Sequence, residues 1–528
     1  MPPSSPVAPL SAPDLAARYP LTVAAFAALP DGAAALAAVG RLQARWQAVW
    51  AEPPPARVIG RVRGVLPRLP VPDCYDVVIA GGGLGLLVGA ALAGRGWRVL
   101  VFDRDVVGCA HREWNITRRE LQVLVDAGLA TWDELDAAVA TTYQAGVIRF
   151  DATGTGGPAH PLVLPGVLDL ALEGQAVLDL ARTRFQAAGG VIRSHRRFRR
   201  VVTQAAGTVR SHLYLDGPAG PEVVEVRLVV DMMGSISPIA LTLNRGRPFD
   251  GVCPTVGTVV RDLPGDPATG DILVSIAGTQ AGRQLIWEGF PGRAGETTVY
   301  LFYYDLASPQ HAPAQSLLDL FEQYFTLLPT YAASRATPAE HATRNPPPVQ
   351  HLRPVFGYIP ARHGRRGRTA TRGLLCLGDA AAGQSPLTFC GFGSFVRHLP
   401  ATAAALDEAL AADRLDAADL APIGPFQANL RPAWAFARLM QPWPGGDRAA
   451  VNRLLNAFCA ALAQVGPAVT TRFLQDRHTF TDYVRILLTT AARYPAVFPI
   501  TWRVLGPRGM ARWVGDIAAF GRATWRGR

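Results

Sequence analysis

Apolar and polar positions follow three different patterns along this chain. Two short apolar runs, Tyr75–Ala80 and Arg98–Phe102, have the composition of strands buried in a parallel sheet. The middle of the chain carries further strand-like runs, and from Ala401 onward the pattern is helical. Together these segments predict an α/β fold with an inserted antiparallel sheet and a helical C-terminal region. The strands of the inserted sheet are predicted at Val252–Val260, Ile272–Ile276, Gln284–Phe290 and Thr297–Tyr304.

The order of these segments predicts five regions. The first is an extension of Pro-rich stretches and helices, broken at Pro20 and Pro30, to which we assign no chemistry. A Rossmann-like domain follows, and a later return of the chain completes it. Between its two parts lies a sheet domain for substrate, and a helical region that can associate with a membrane ends the chain. The predicted bounds are 1–72, 73–249, 250–365, 366–412 and 413–528.

A glycine-rich turn links the first two apolar strands through a helix of small residues. The fingerprint GxGxxG is in register, although its first position is Ala80. Gly82 allows close approach of a pyrophosphate, and Gly85 allows the helix to pack on the strand. Asp103 follows Gly85 by 18 residues, where an acid can hydrogen-bond an adenosine ribose. The predicted dinucleotide site consists of Ala80, Gly81, Gly82, Gly83, Gly85 and Asp103.

Two later strands return to this site in the manner of flavoproteins built like the aromatic hydroxylases. The first ends in Asp231 and is followed by Gly234 and a Ser-x-Ser-Pro turn. The second ends at Gly378-Asp379, where the acid is placed to hydrogen-bond a ribityl chain. A helix that begins near Gly391–Gly393 would direct its positive end towards a flavin. We therefore predict FAD as the nucleotide, held in part by Asp231, Gly234, Gly378, Asp379, Gly391 and Gly393.

Two arginines lie just past the second strand. Arg112 and Arg118 occur in REWNITRREL, where Thr117 and Glu120 form a capping box that starts a helix. Both arginines are candidates for contacts with cofactor phosphates, and a solvated or helix-capping role is the alternative for each.

One carboxylate stands out in the inserted sheet. Glu288 occurs in LIWEGFPG, between apolar and aromatic neighbours. Burial there would raise its pKa, as a general acid requires, whereas an outward-facing position would leave it structural. Asp271 and Asp305 are weaker candidates. The histidines, among them His351, His363 and His398, show no metal-binding spacing, so we predict no metal site.

The composition narrows the chemistry further. All 52 basic residues are arginine, so no lysine can act as a nucleophile or form a Schiff base. The formal net charge of +11 suits an acidic partner, and an anionic membrane surface fits better than nucleic acid. In the last 36 residues seven arginines stand against one acid, Asp516, and alternate with Trp502, Trp513, Phe520 and Trp525. This pattern is typical of an interfacial membrane anchor, and a packed helix with a solvated face is the alternative.

The remaining signals concern the compartment. The six cysteines lack CxxC spacing, which favours buried thiols in a reducing compartment. The N-terminus has no signal-peptide pattern, and no run of 18 apolar residues predicts a membrane span. We therefore expect a cytoplasmic protein, peripheral on the cytoplasmic face of a membrane.

Several motifs in order make the chain resemble the CruA/CruP family of lycopene cyclases and cyclase paralogues. They are GGGLG, REWNITRREL, DMMGSISPIA, IWEGFP, GDAAAGQSPLTFCGFGSFVRHL and PFQANL, which lie between about Tyr75 and Asp476. The resemblance implies FAD in its reduced form and a linear carotene as substrate. It also implies that a carboxylic acid, Glu288 by its position, protonates the terminal double bond so that a six-membered ring closes without net redox change.

Two other classes of function stay open. A redox flavoenzyme of the same fold could be a monooxygenase, a halogenase or a prenyl-chain reductase, although the absence of lysine disfavours the halogenase. A flavin-binding paralogue without cyclase activity would not need Glu288. Since no second glycine fingerprint for NADPH is found, we expect NADPH or another reductant to act from outside.

Overall fold

The computed structural model describes residues 12–51, 58–69, 73–110, 112–247, 249–337, 349–362, 367–383, 391–424 and 428–526. The strands are β1 (Ile59–Val62), β2 (Cys74–Ala80), β3 (Val99–Phe102), β4 (Glu113–Ile116), β5 (Val139–Thr142), β6 (Ala145–Arg149), β7 (Leu162–Pro165), β8 (Leu170–Glu173), β9 (Val191–Arg193), β10 (Arg197–Gln204), β11 (Ser211–Gly217), β12 (Gly220–Asp231), β13 (Gly251–Arg261), β14 (Thr269–Val274), β15 (Ile286–Pro291), β16 (Thr297–Phe302), β17 (Asp305–Leu306), β18 (Gln350–Ala361), β19 (Ala370–Thr371) and β20 (Leu374–Cys376).

The α-helices cover both ends of the chain and the connections between strands. They are α1 (Ala12–Arg18), α2 (Pro20–Ala27), α3 (Gly32–Ala51), α4 (Gly85–Ala93), α5 (Arg118–Asp126), α6 (Trp132–Ala138), α7 (Gly174–Ala187), α8 (Pro238–Leu243), α9 (Leu317–Arg335), α10 (Gly391–Ala411), α11 (Ala417–Leu420), α12 (Trp434–Leu439), α13 (Ala450–Val465), α14 (Pro467–Leu474), α15 (Phe480–Arg493) and α16 (Val497–Arg526).

The first sheet is organised around parallel strands with continuous apolar runs. Its strand order is β1-β10-β11-β12-β2-β3-β9, with β20 beside β12 and β19 beside β20. Strand β2 is parallel to β3 and β12, and β20 is parallel to β12. Helices α4, α7 and α10 share one apolar core on this sheet. Because parallel strands end at the same edge, the ends of β2, β3, β12 and β20 meet there, and the segments with the predicted cofactor residues follow these ends.

The second sheet has mostly antiparallel pairs and two covered faces. Its order is β17-β13-β16-β15-β14-β6-β7, with β18 beside β13. One face packs against α9 and the N-terminal helices, and the other packs against the C-terminal helices. Strands β6 and β7 belong to this sheet although their residues fall inside the predicted 73–249 region. The second sheet is therefore not continuous in sequence, because it takes a hairpin from the preceding region.

Two details differ from the sequence predictions. The pattern over Leu168–Ala188 predicts one amphipathic helix, but the helix begins at Gly174 because β8 pairs with β4 and β5 in a small third sheet. The apolar run at Val191–Arg193 predicts the first strand of a meander, but this strand lies parallel to β3. Both differences come from pairing with strands that are distant in sequence, which the local pattern does not encode.

The N-terminal helices are part of the second sheet's core. Trp46 on α3 stacks on Tyr358 of β18 with ring centroids 4.4 Å apart, and its indole N–H donates to Gln315 at 3.0 Å. Phe26 on α2 packs edge-on against Phe321 of α9. The N-terminal extension, to which the sequence assigns no chemistry, therefore covers the sheet and buries aromatic side chains on it.

The C-terminal helices contribute to the opposite core. Buried residues of α13, α14 and α15 share one cluster with Phe290, Tyr300 and Phe302 of the second sheet. Helix α16 is kinked at Gly506, which has φ 64° and precedes Pro507. Among the helices of the described ranges, we find none that combines the length and apolarity needed to cross a bilayer.

None of the cysteines in the described residues forms a disulfide. Cys253, Cys376 and Cys459 are buried, and Cys74 is partly buried. Cys109 is exposed, so the expectation of buried thiols is wrong at this position. Cys390 lies outside the described residues.

Candidate active site

The glycine turn after β2 is shaped by close contacts on one side and open space on the other. Gly81 has φ 113°, and a Cβ there would lie 2.3 Å from the Met232 carbonyl oxygen. Ala80 still pairs as the last residue of β2, which explains why alanine is tolerated at the first fingerprint position. Added Cβ atoms at Gly82 and Gly85 would each come within 2.9 Å of a neighbouring side chain or backbone atom. Gly83 alone among these turn glycines would meet no atom within 4 Å.

The acid at the end of β3 is joined directly to this turn. The carboxylate of Asp103 accepts a hydrogen bond of 2.7 Å from the backbone N–H of Gly82 and one of 3.0 Å from that of Asp105. Asp103 therefore lies beside the glycine turn, as the sequence predicts, and both its oxygens are held by backbone.

The first return differs from the prediction in the role of its acid. Asp231 is fully buried and accepts hydrogen bonds from the Ser237 hydroxyl and the Met233 N–H. Burial raises the pKa of Asp231 to about 6, and these hydrogen bonds oppose the shift. Because its carboxylate is enclosed and used by the protein itself, we assign Asp231 a structural role rather than a cofactor contact. Gly234, with φ 83° and open space around it, lines the cavity described below.

The second return ends in a short 3-10 turn, Gly378–Ala381, at the same edge of the sheet. Gly378 and Asp379 line the cavity, and so do residues of the first turn of α10, beginning with Gly391. Gly393 does not line it, because an added Cβ would lie 2.9 Å from the Glu120 carboxylate. Gly393 therefore serves close packing of α10 against α5. The segment GQSPLTFC, part of the second return, falls at 383–390 and lies largely outside the described residues.

A cavity of about 400 Å³ lies between the two sheets. It extends from the glycine turn to the second sheet, and its walls mix aromatic side chains with a few polar groups. Seven of the predicted cofactor residues and the predicted acid line it: Gly83, Gly85, Arg112, Gly234, Glu288, Gly378, Asp379 and Gly391.

Glu288 projects from β15 onto the cavity face of the second sheet. Ile286 and Phe290, two residues to either side, belong to the core on this face, whereas Trp287 packs on the opposite face. Burial raises the pKa of Glu288 to about 8, and the nearby Arg112 guanidinium lowers it only in part. The carboxyl group is therefore mostly neutral at pH 7 and can donate a proton.

Tyr300 is a neighbour of Glu288 that sequence reasoning missed. It lies directly opposite Glu288 in the β15–β16 pair and lines the same cavity. Arg112 donates a side-chain hydrogen bond to Tyr300 and is also close to Asp379 and Glu288. A tyrosine within YLFYY carries no local signal, and the strand register alone identifies it.

Arg118 does not join this group. Its guanidinium donates two hydrogen bonds to Asp136, at 2.6 and 3.0 Å, and lies over the Trp132 ring. The side chain is more than half exposed and does not line the cavity. The prediction of a phosphate contact for Arg118 therefore has no support in the geometry, and we remove it from the site.

Two further residues of the cavity lacked a sequence signal. Glu113 is buried, accepts a hydrogen bond of 2.9 Å from Thr298 and pairs with Arg353 at 2.7 Å. Ser394, in the first turn of α10, is buried, and within the described chain its hydroxyl has no hydrogen-bond partner. An orphaned hydroxyl that lines a cavity is a ready contact for a bound group.

The alternative acids and the histidines have other partners. Asp271 is buried in an ion pair of 2.7 Å with Arg335, and Asp305 bonds His311 at 2.7 Å. His351 bonds the Thr258 hydroxyl, and the ring of His398 bonds the Ser394 carbonyl oxygen. His363 lies outside the described residues.

Comparison with known proteins identifies the fold. No protein family matches the chain, and no curated protein matches it. A variant of halogenase PltM in complex with FAD superposes with a TM-score of 0.54 at 13% identity, over 86% of this chain and 92% of the halogenase. A flavoprotein/dehydrogenase from Cytophaga hutchinsonii gives a TM-score of 0.50 at 13% identity, over 80% of this chain and 100% of its own. The chain has the mixed α/β fold of FAD-binding flavoproteins of the aromatic-hydroxylase type.

Proposed function

We propose that this protein is an FAD-dependent enzyme that closes a ring at the end of a linear carotene. The observation that supports this most is the position of Glu288, a carboxyl group with a raised pKa in the wall of a largely apolar cavity that extends to the glycine turn. Proton-initiated ring closure needs an acid that keeps its proton at neutral pH and a pocket that excludes water.

The residues around the cavity suit FAD. Gly83 leaves open space at the N-terminus of α4, where a pyrophosphate is favoured by backbone N–H groups and the helix dipole. In this proposal Asp103 hydrogen-bonds the adenosine ribose and Asp379 the ribityl chain, and the Ser394 hydroxyl offers a further hydrogen bond at α10. Bound FAD would supply, in its reduced form, an electron-rich ring that stabilises a nearby cation.

In the proposed reaction, the carboxyl group of Glu288 transfers its proton to the terminal double bond of the substrate. The resulting carbocation is attacked by an internal double bond, which closes a six-membered ring. The cation then returns a proton to the Glu288 carboxylate as the new double bond forms, so one proton enters and one leaves without net redox change. Arg112 stabilises the carboxylate that Glu288 becomes after transfer, since its charge favours the ionised form.

Aromatic side chains form much of the remaining wall. Trp114 lies against Phe392 with ring centroids 4.6 Å apart, and Phe290, Phe302 and Phe395 also line the cavity. Such a wall accommodates an apolar end group, and the faces of aromatic rings attract a carbocation. The volume of about 400 Å³ suits an end group rather than a whole carotene.

The fold also favours a second candidate, an FAD-dependent oxidoreductase. The two similar structures described above are a halogenase and a flavoprotein/dehydrogenase. An apolar pocket beside a flavin would suit the substrate of a monooxygenase or of a prenyl-chain reductase equally well. The absence of lysine disfavours halogenation through a catalytic lysine. In either case we propose that NADPH or another external reductant supplies electrons, and that the protein works on the cytoplasmic face of a membrane, where carotenes dissolve.

Product analysis separates these candidates. The protein is expressed in a bacterium that accumulates lycopene, and the extracted carotenoids are separated by chromatography and mass. Cyclic carotene of unchanged mass supports the cyclase, whereas a product of changed mass supports the oxidoreductase. Unchanged lycopene, with FAD-loaded protein present in the cells, contradicts the cyclase and leaves an oxidoreductase with another substrate or the non-cyclising paralogue.

A further inference from the structure

Exposed apolar side chains are concentrated on the last two helices. Leu488 on α15 and four residues of α16, namely Phe498, Trp502, Val514 and Trp525, are between 57% and 84% exposed. Solvent-facing tryptophan and phenylalanine are costly for a protein that stays in water, so a local concentration of them marks an interaction surface.

The same helices carry positive charge on their exposed side. Their exposed arginines are Arg485, Arg493, Arg503, Arg508, Arg512 and Arg522. The two acids between residues 480 and 526 are both buried: Asp482 pairs with Arg472, and Asp516 accepts a hydrogen bond from the Trp434 indole. The exposed surface of α15 and α16 is therefore positive and apolar, without an opposing negative group of its own.

Helix geometry aligns the apolar residues. Phe498 and Trp502 are four residues apart and share one face before the kink at Gly506. Val514 and Trp525 are eleven residues apart, close to three full turns, and share one face after it. We call Leu488 and these four residues, together with the six exposed arginines, the tail face.

The opposite side of these helices is fixed to the protein. Ile500, Val504 and Ile517 pack against the core that also contains Phe290 and Tyr300 of the cavity wall. The tail face is thus the outer surface of helices whose inner side belongs to the core next to the site.

We propose that the tail face docks on an anionic lipid bilayer. Arginines attract lipid phosphates, and tryptophan and phenylalanine insert at the depth of the headgroups, which is the composition of interfacial helices. A protein partner would need a surface complementary in shape to these interspersed arginines and bulky aromatic side chains. A bilayer can bind both kinds of side chain without a complementary shape. The proposal rests on the proposed work at a membrane, but docking does not require the cyclase reaction, so vesicle binding and product analysis can fail separately.

The test uses the full-length, FAD-loaded protein and sedimentation with vesicles. Vesicles contain phosphatidylcholine alone or phosphatidylcholine with phosphatidylglycerol. We expect binding to the anionic vesicles that weakens with added salt. Since each arginine near such a surface contributes about fivefold, the triple variant Arg503→Gln/Arg508→Gln/Arg512→Gln should bind roughly a hundredfold more weakly. The variant Phe498→Ala/Trp502→Ala/Trp525→Ala should lose at least about tenfold.

A matched control is available at the edge of the first sheet. The variant Arg63→Gln/Val65→Ala removes an exposed arginine and an exposed apolar side chain next to β1, and it should bind vesicles like the wild type. The flavin absorbance of every variant verifies that the protein is folded. Wild-type protein that fails to sediment, or tail-face variants that bind like the control, would overturn the proposal. A dimer that the tail-face variants convert to a monomer would also overturn it, because a second copy would then be the occupant.

Discussion

Glu288 and Tyr300 lie directly opposite each other on the antiparallel strands β15 and β16, and both line the cavity. Directly opposed residues on one face of a sheet have Cβ atoms about 5 Å apart. Since Arg112 is hydrogen-bonded to Tyr300, this pairing links a fixed positive charge to the neighbourhood of the neutral acid. In the proposed reaction, this arrangement provides a proton donor and stabilises the carboxylate that remains after proton transfer.

Replacement of the acid should abolish ring formation and spare cofactor binding. Glu288→Gln keeps the size of the side chain but cannot transfer a proton, so cyclic product should fall by roughly 100- to 10,000-fold. Flavin content, measured by absorbance, should match the wild type. The surface variant Glu408→Gln, whose side chain is 76% exposed, is the control and should retain full activity. Equal activity in Glu288→Gln would remove this residue from the mechanism.

The pH dependence of cyclisation should follow the protonated form of Glu288. Its pKa of about 8 predicts a rate that is level near pH 7 and falls about tenfold per pH unit above pH 8, because only the neutral acid donates. Initial rates in a series of buffers, with flavin content checked at each pH, test this. A rate that already falls from pH 5 upward would indicate an ordinary exposed carboxylate instead.

The same buried acid should cost stability at alkaline pH. An unfolded chain releases the Glu288 proton near pH 4.5, whereas the folded protein holds it until about pH 8. Between these values the folded state loses about 1.4 kcal/mol per pH unit relative to the unfolded state, and the loss is complete above pH 8. Glu288→Gln lacks this dependence, so its advantage in free energy of unfolding should grow from pH 5 to pH 8. Urea titrations at both pH values measure it, and an unchanged difference would contradict the burial of this acid.

Two glycines of the turn should respond differently to alanine. At Gly81 the φ of 113° and the close Met232 carbonyl make an added Cβ incompatible with the fold, so Gly81→Ala should lower the melting temperature of the protein without flavin. At Gly83 a Cβ meets no protein atom, so Gly83→Ala should keep that melting temperature and weaken FAD binding at least about tenfold. Gly40→Ala, in an open position of α3, is the control with normal FAD affinity. Normal affinity in Gly83→Ala would mean that the phosphates lie elsewhere.

Local sequence was sufficient for the elements that depend on near neighbours. Strand β2, the glycine turn and α4 follow from a continuous apolar run, glycines and small residues, and the capping box at Thr117 starts α5 as predicted. Glu288 and Trp287 are adjacent on one strand, so the sequence predicts that they point to opposite faces of the sheet. It does not predict which face each residue occupies, because that depends on the core that packs against each face.

Long-range pairing decided what the sequence could not show. Tyr300 reaches the site through the register of β16 against β15. Asp231 and Arg118 are close in sequence to residues of the site, but each has a different partner. Asp231 accepts a hydrogen bond from the buried Ser237 hydroxyl, and Arg118 donates to Asp136 at the surface. Strands β6 and β7 belong to the second sheet, and not to the sheet of their sequence neighbours, because β6 pairs with β14.

The central claim is that Glu288 delivers a solvent-exchangeable proton to the substrate. Cyclisation in deuterated water tests this claim most directly. Purified, FAD-loaded protein is incubated with a reductant and lycopene, and the molecular mass of the product is measured by mass spectrometry. The account predicts one deuterium gained for each ring formed, and no ring with Glu288→Gln. A ring formed without deuterium, a product altered by oxygen or by two hydrogens, or full activity in Glu288→Gln would contradict it.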